Sequence, residues 1–152
     1  MHVQGGLSPK NGIVLMRTHD GSIRKEENAR FVADLFVAAR GTDEYHEQNS
    51  SNKVVVVADN ASAHSQVEAF VCNMDVADGM FNVSKLVLLR LAPYNPMLNP
   101  IKGCWTVLKT RLKRFVAERK EELLVRGKYD TFTDHRMAIM KGAIYIAKPA
   151  IT

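Results

Sequence analysis

Val54–His64 reads VVVVADNASAH, and the reading of its first half decides the fold class. Four consecutive valines make a poor helix start and a good strand buried on both faces. The run ends in Asp59-Asn60, followed by small residues. A strand that delivers a carboxylate at its C-terminal edge puts it where open α/β sheets hold their sites. Asp59 there offers hard oxygen ligands to a divalent cation. The plainer alternative is an Asx turn as the strand exits.

Moving outward, Ser65-Gln66-Val67-Glu68 fits an S-x-x-E capping box. Val67, Phe70, Val71 and Met74 follow at helical spacing, which predicts a short amphipathic helix. Lys85–Leu91, KLVLLRL, is a second apolar strand. Two such strands joined by a helix form a βαβ unit, parallel and with a right-handed crossover. Upstream, Val3–Ser8 and Ile13–Thr18 read as short strands around the turn-forming SPKNG, so a β-hairpin is expected. A helix over Glu26–Ala39 places Phe31, Val32, Leu35 and Phe36 on one face. Gly41 is expected as a left-handed stop, and polar Thr42–Asn52 as a loop.

Downstream, the prolines of Ala92–Pro100 exclude regular structure. Asn99-Pro100 resembles an N-cap with proline in first helical position. A long helix is expected from Pro100 to about Leu124, burying Ile101, Trp105, Leu108, Leu112 and Phe115. Lys102, Lys109 and Lys113 lie on another face, with Arg111 and Arg114 nearby. Gly127–Thr131 breaks that helix, and a last one runs from Thr133 or Asp134 to Lys148, closed by Pro149. The expected fold is α/β with a mixed sheet, in one domain over residues 1–152.

Bulk properties narrow the function classes. The chain has 152 residues, 46% hydrophobic and 24% charged, which is enough for a core and argues against a disordered chain. Cys72 and Cys104 have neither metal-type spacing nor a disulfide pattern, and read as small buried hydrophobes in a reducing compartment. No signal peptide or membrane-spanning run is visible, so the expected location is intracellular, nuclear in a eukaryote. Net charge is +5, unevenly spread. Leu98–Lys128 holds nine Lys/Arg against three Glu, a net of +6, and the remainder sums to −1. Such asymmetry is a hint of nucleic acid, against the plainer reading of a solvated basic face.

DNASAH after the valine strand, then LAPYNPMLNPIKGCW after the next, resembles the DDE superfamily endonucleases and, more narrowly, the mariner-type transposases. The matching positions are Asp59, Asn60 and His64, then Pro93, Tyr94, Asn95, Pro96, Leu98, Asn99, Pro100, Ile101 and Trp105. GSIRKEENARFV resembles the family segment ahead of the second catalytic Asp. The resemblance covers about Val3 to Arg114.

It implies a ribonuclease-H-like fold in which three carboxylates bind two Mg²⁺ ions. The ions clamp the attacking and leaving oxygens of a phosphodiester displacement. Asp59 maps onto the second carboxylate, as catalytic residue and metal ligand. His64 is expected beside the site as a loop or capping residue. The third carboxylate's position is Lys102, where a cation removes a ligand and repels the ion. The first Asp belongs to a strand upstream of the hairpin, so the chain is expected to lack the first strand; Asp20, in a turn, is no substitute. The expectation is a catalytically inactive DDE transposase relic. It would keep weak Mg²⁺ affinity at most, and non-specific DNA binding through Lys102, Lys109, Lys113 and Arg114. Two alternatives stay open: an active nuclease completed by another chain or an upstream segment, and a protein-interaction module on the same fold. Oligomer formation is also left open.

Overall fold

The computed structural model describes residues 1–47, 52–59, 67, 69–71, 83–92 and 98–148. They divide into two compact units, His2–Pro100 and Ile101–Thr152, the latter grouped with Met1. The fold is mixed α/β, with two small sheets and flanking helices, consistent with the expected ribonuclease-H-like class.

In the first unit, β1 (His2–Ser8) and β2 (Gly12–His19) form an antiparallel hairpin, its register running from His2 opposite His19 to Ser8 opposite Gly12. Gly12 takes φ +66°, the left-handed conformation that the turn requires. Helix α1 (Lys25–Arg40) packs on β2. A buried polar chain fixes that packing. Gln4 Nε2 donates to Asn28 Oδ1 at 2.8 Å, and Arg17 Nε donates to Gln4 Oε1 at 3.0 Å. Arg17 also donates to Asp34 Oδ2 at 2.7 Å and to the Glu27 carbonyl at 3.0 Å, with its guanidinium over the Phe31 ring.

β3 (Val54–Ala58) and β4 (Leu86–Arg90) pair in parallel, Val54 opposite Leu86 through Ala58 opposite Arg90. The parallel pairing is the one expected. Val67, Phe70 and Val71 are helical as expected, and Val67 and Val71 join Ala29 and Val32 of α1 in a buried cluster. Phe70, Leu86 and Leu88 pack against it. Met74 and Cys72 lie outside the described residues.

Several expectations are corrected. The valine strand is not buried on both faces: Val55 and Val57 are 53% and 44% exposed, and Leu89 is 51% exposed. Among the described residues the helical cover lies on one face, so the run alternates despite its uniform composition. Gly41 is right-handed, at φ −81°, with its N–H shared among the last carbonyls of α1. Thr42–Glu47 is not a loop, because α2 (Asp43–Glu47) forms there. Glu44 accepts from Ser8 Oγ at 2.7 Å and Asn11 Nδ2 at 2.8 Å, and Glu47 pairs with Lys10 Nζ at 2.5 Å. These bonds to the hairpin turn hold a polar segment that has no buried residue of its own.

In the second unit, α3 (Ile101–Glu118) packs against α4 (Phe132–Ala147). α3 stops six residues short of the expected Leu124; a 3-10 turn over Glu122–Leu124 follows. Of its expected stripe only Leu108 is fully buried, while Ile101, Trp105, Leu112 and Phe115 are half-buried. Thr131 caps α4, accepting from Asp134 N at 3.1 Å. His135 is buried, donates from Nδ1 to the Val125 carbonyl at 2.7 Å, and stacks on Tyr129. Gly127, at φ +60°, lies so close that a Cβ there would stand 3.2 Å from the imidazole. No helix among the described residues is long and apolar enough to cross a membrane.

Arg17→Ala should destabilise the chain by about 2 kcal/mol, because it strips hydrogen bonds from Gln4 and the Glu27 carbonyl together. Arg17→Lys should recover little of this, since an ammonium lacks the planar fork. Denaturant unfolding checks both.

The α2 latch should respond to pH. The Lys10 ammonium, by its hydrogen bond and then its charge, holds Glu47 below its ordinary 4.5. Glu47 likewise holds Lys10 above 10.5. A carboxyl held low stabilises the fold above its unfolded pKa and loses that effect as pH falls through the folded value. An ammonium held high stabilises below its unfolded pKa and loses the effect as pH rises through the folded value. The latch should therefore hold through neutrality and release at both extremes. NMR titration should find Glu47 below 4.5, returning toward it in Lys10→Ala.

Candidate active site and nucleic-acid face

Asp59 follows directly on the last paired residue of β3. The ladder closes just before it, where Leu91 N donates to the Ala58 carbonyl at 2.9 Å. Because β3 and β4 are parallel, Asp59 and the segment beginning at Leu91 leave the same sheet edge. This is the carboxyl edge on which α/β sheets carry ligands. Asp59 is half-buried. Asn60, His64, and Pro93 to Pro96 of the second motif lie outside the described residues.

The segment ends at Asn99 and Pro100, and α3 begins one residue later. Lys102 is exposed in the first turn of α3, which contains no acidic residue. At 3.6 residues per turn, Lys109 and Lys113 fall within about 20° of Lys102 around the axis. All three are exposed, so they make one cationic stripe. Lys109 and Lys113 stand about 6 Å apart along the axis, and Lys102 about 10 Å further back. Thr106, on the same stripe, spends its hydroxyl on the Lys102 carbonyl at 3.1 Å.

Arg114 differs from these three. It lies about 120° round the helix from Lys102, and its Nε donates to Glu118 Oε1 at 2.7 Å. That ion pair raises its already high pKa through the hydrogen bond first and the charge second. Arg111 falls on the side opposite the lysine stripe. Helical spacing and the Glu118 partner were both present in the sequence as signals of this separation. The sequence reading also stopped the basic region too early. From Ile101 onward there are twelve Lys/Arg against five Asp/Glu, with Arg136, Lys141 and Lys148 adding to the +6 segment.

A two-metal centre needs several carboxylates converging on one spot. Among the described residues no group of three or more His, Cys, Asp or Glu side chains is placed to hold a metal ion. Asp59 offers one carboxylate at the end of β3, and Lys102 is an ammonium in the first turn of α3.

The family model described as DDE superfamily endonuclease matches residues 1–124. No curated protein and no solved structure matched the chain. The family match runs through the hairpin, the parallel strands and all of α3, so the carboxylate edge and the lysine stripe both lie inside it. The chain thus belongs to the DDE superfamily endonucleases, a transposase-like nuclease family that acts on DNA and typically uses a divalent metal.

Proposed function

We propose that this chain is a mariner-type DDE transposase domain that has lost strand cleavage and keeps sequence-tolerant binding to DNA. The observation that carries the reading is Lys102, an exposed cation in the acid-free first turn of α3. The family motif that ends in Asn99-Pro100-Ile101 continues with a Glu ligand. A cation there supplies no oxygen and repels a divalent ion. The same cation lines up with Lys109 and Lys113, a spacing suited to a run of phosphates. Lysine ammoniums grip phosphate as point charges and read no base pattern, so binding should tolerate any sequence. Asp59 remains as the second of the three family carboxylates, too few by itself to bind Mg²⁺ tightly. Arg114, drawn toward Glu118, contributes at the margin of this face.

Supercoiled plasmid should survive incubation with the chain and Mg²⁺ or Mn²⁺. Lys102→Glu should also fail to nick it, though a carboxylate suits the start of a helix and returns one ligand. Nicking by the unmodified chain that Asp59→Ala abolishes would show a complete centre and overturn the loss of cleavage.

Binding to duplex DNA should weaken steeply with salt, each phosphate contact adding about −0.9 to the slope of log K against log salt. Lys109→Ala and Lys113→Ala should each flatten that slope by about one contact, and Arg114→Ala by less. Fluorescence anisotropy at several salt concentrations measures this. An unchanged slope in Lys109→Ala/Lys113→Ala would remove α3 as the DNA face and favour a protein-interaction role.

A further inference from the structure

We propose a second ligand site, separate from Asp59 and from the lysine stripe: His2 and His19 form a clip for one divalent transition-metal ion across the open end of the hairpin. The two residues stand directly opposite each other in the antiparallel register. Directly opposed residues on one face have Cβ atoms about 4.5–5.5 Å apart. The face is known from their neighbours. Gln4 and Arg17, one alternation further along each strand, reach each other and α1 from that side. His2 and His19 therefore extend from the same face as this polar chain. His2 is exposed and His19 half-exposed, so an ion reaches both from solvent.

Two imidazoles at that separation each bring one ring nitrogen to a shared ion at about 2.0–2.1 Å. Water fills the remaining positions, as in any site with few protein ligands. Imidazole suits Zn²⁺, Cu²⁺ and Ni²⁺, whereas Mg²⁺ prefers oxygen and keeps its water. Glu27 lies within electrostatic reach of His19, adding favourable negative charge. Its Oε2 accepts the Arg24 N–H at 2.8 Å, which holds it at the start of α1. The clip thus has two protein ligands, in keeping with the absence of any three-donor group among the described residues. An ion bound there ties the first residue of β1 to the last of β2. Because the unfolded chain does not hold the two rings opposite each other, binding favours the folded state.

The test is calorimetric titration of the untagged full chain with Zn²⁺ in excess Mg²⁺, with thermal unfolding followed with and without Zn²⁺. The expected result is one Zn²⁺ per chain, insensitive to Mg²⁺, and a raised melting temperature. His2→Gln and His19→Gln should each weaken binding by about tenfold or more and remove the thermal shift. His46→Gln and Asp59→Ala should leave both unchanged. Circular dichroism of each variant before titration confirms that it is folded, and the exposed His2→Gln is the variant least able to disturb the fold. Absence of Zn²⁺ binding to the unmodified chain, or full affinity in the folded His2→Gln variant, would overturn the proposal. Displacement by Mg²⁺, or loss in Asp59→Ala, would move the ion to the β3 edge and overturn it equally.

Discussion

A two-stranded sheet is marginal in water by itself, and the first unit contains two of them. Helix α1 is what makes both tenable. One side of it carries Asn28, Phe31 and Leu35 against the hairpin, where Gly6 leaves room for Leu35. The adjacent side carries Ala29 and Val32 into the cluster with Val67 and Val71, on which Leu86 and Leu88 of β4 rest. The helix thus serves two sheets with one broad buried stripe. The direction of the hairpin against it is set by polar bonds as well as by burial. Slipping β1 by one residue would move Gln4 to the other face and leave Asn28 without that partner. The edge that carries Asp59 inherits its position from this arrangement.

Much of this was legible because it is local. Period-3.6 spacing gave every helix but α2 its type, apolar runs and turn chemistry gave the strands theirs, and two apolar strands around a helix gave the parallel pairing of β3 and β4. What escaped was set by neighbours distant in sequence. Asp43–Glu47 is helical because Glu44 and Glu47 bond to a turn more than thirty residues away, a fact absent from the polar string itself. Val55 and Val57 are exposed although Val54 and Val56 have identical side chains, because only one face is covered among the described residues. No composition rule separates identical residues. The Gln4–Asn28 bond was equally invisible, since a buried amide pair looks like two surface residues in a sequence.

The candidate site divides in the same way. Asp59 could be placed from sequence because the end of a strand is a local property. The lysine stripe could be placed because helical geometry is periodic. Arg114 was grouped with it by proximity in sequence, although the helix turns it toward Glu118. Proximity along a helix and membership of a face are different properties, and only the second decides which charges a single polyanion meets at once.

The electrostatics of α3 give Lys102 a sharper meaning. The N-terminal end of a helix carries partial positive charge and is stabilised by a nearby acid. α3 has no acid in its first turn, and no base in its last turn to offset the other end. Lys102 adds a full positive charge where the dipole already disfavours one. A carboxylate at this position would satisfy the helix and a metal ion together. With lysine, the helix end and the side chain repel each other, and both are relieved by the same external group, an anion with several oxygens. A phosphodiester backbone meets that requirement, and Lys109 and Lys113 extend it along the helix. Under the proposed function, lysine at position 102 would take a ligand from the ion and give one to the substrate. Cleavage and DNA affinity would then be opposed at a single residue, which is why the proposed function pairs loss of the first with retention of the second.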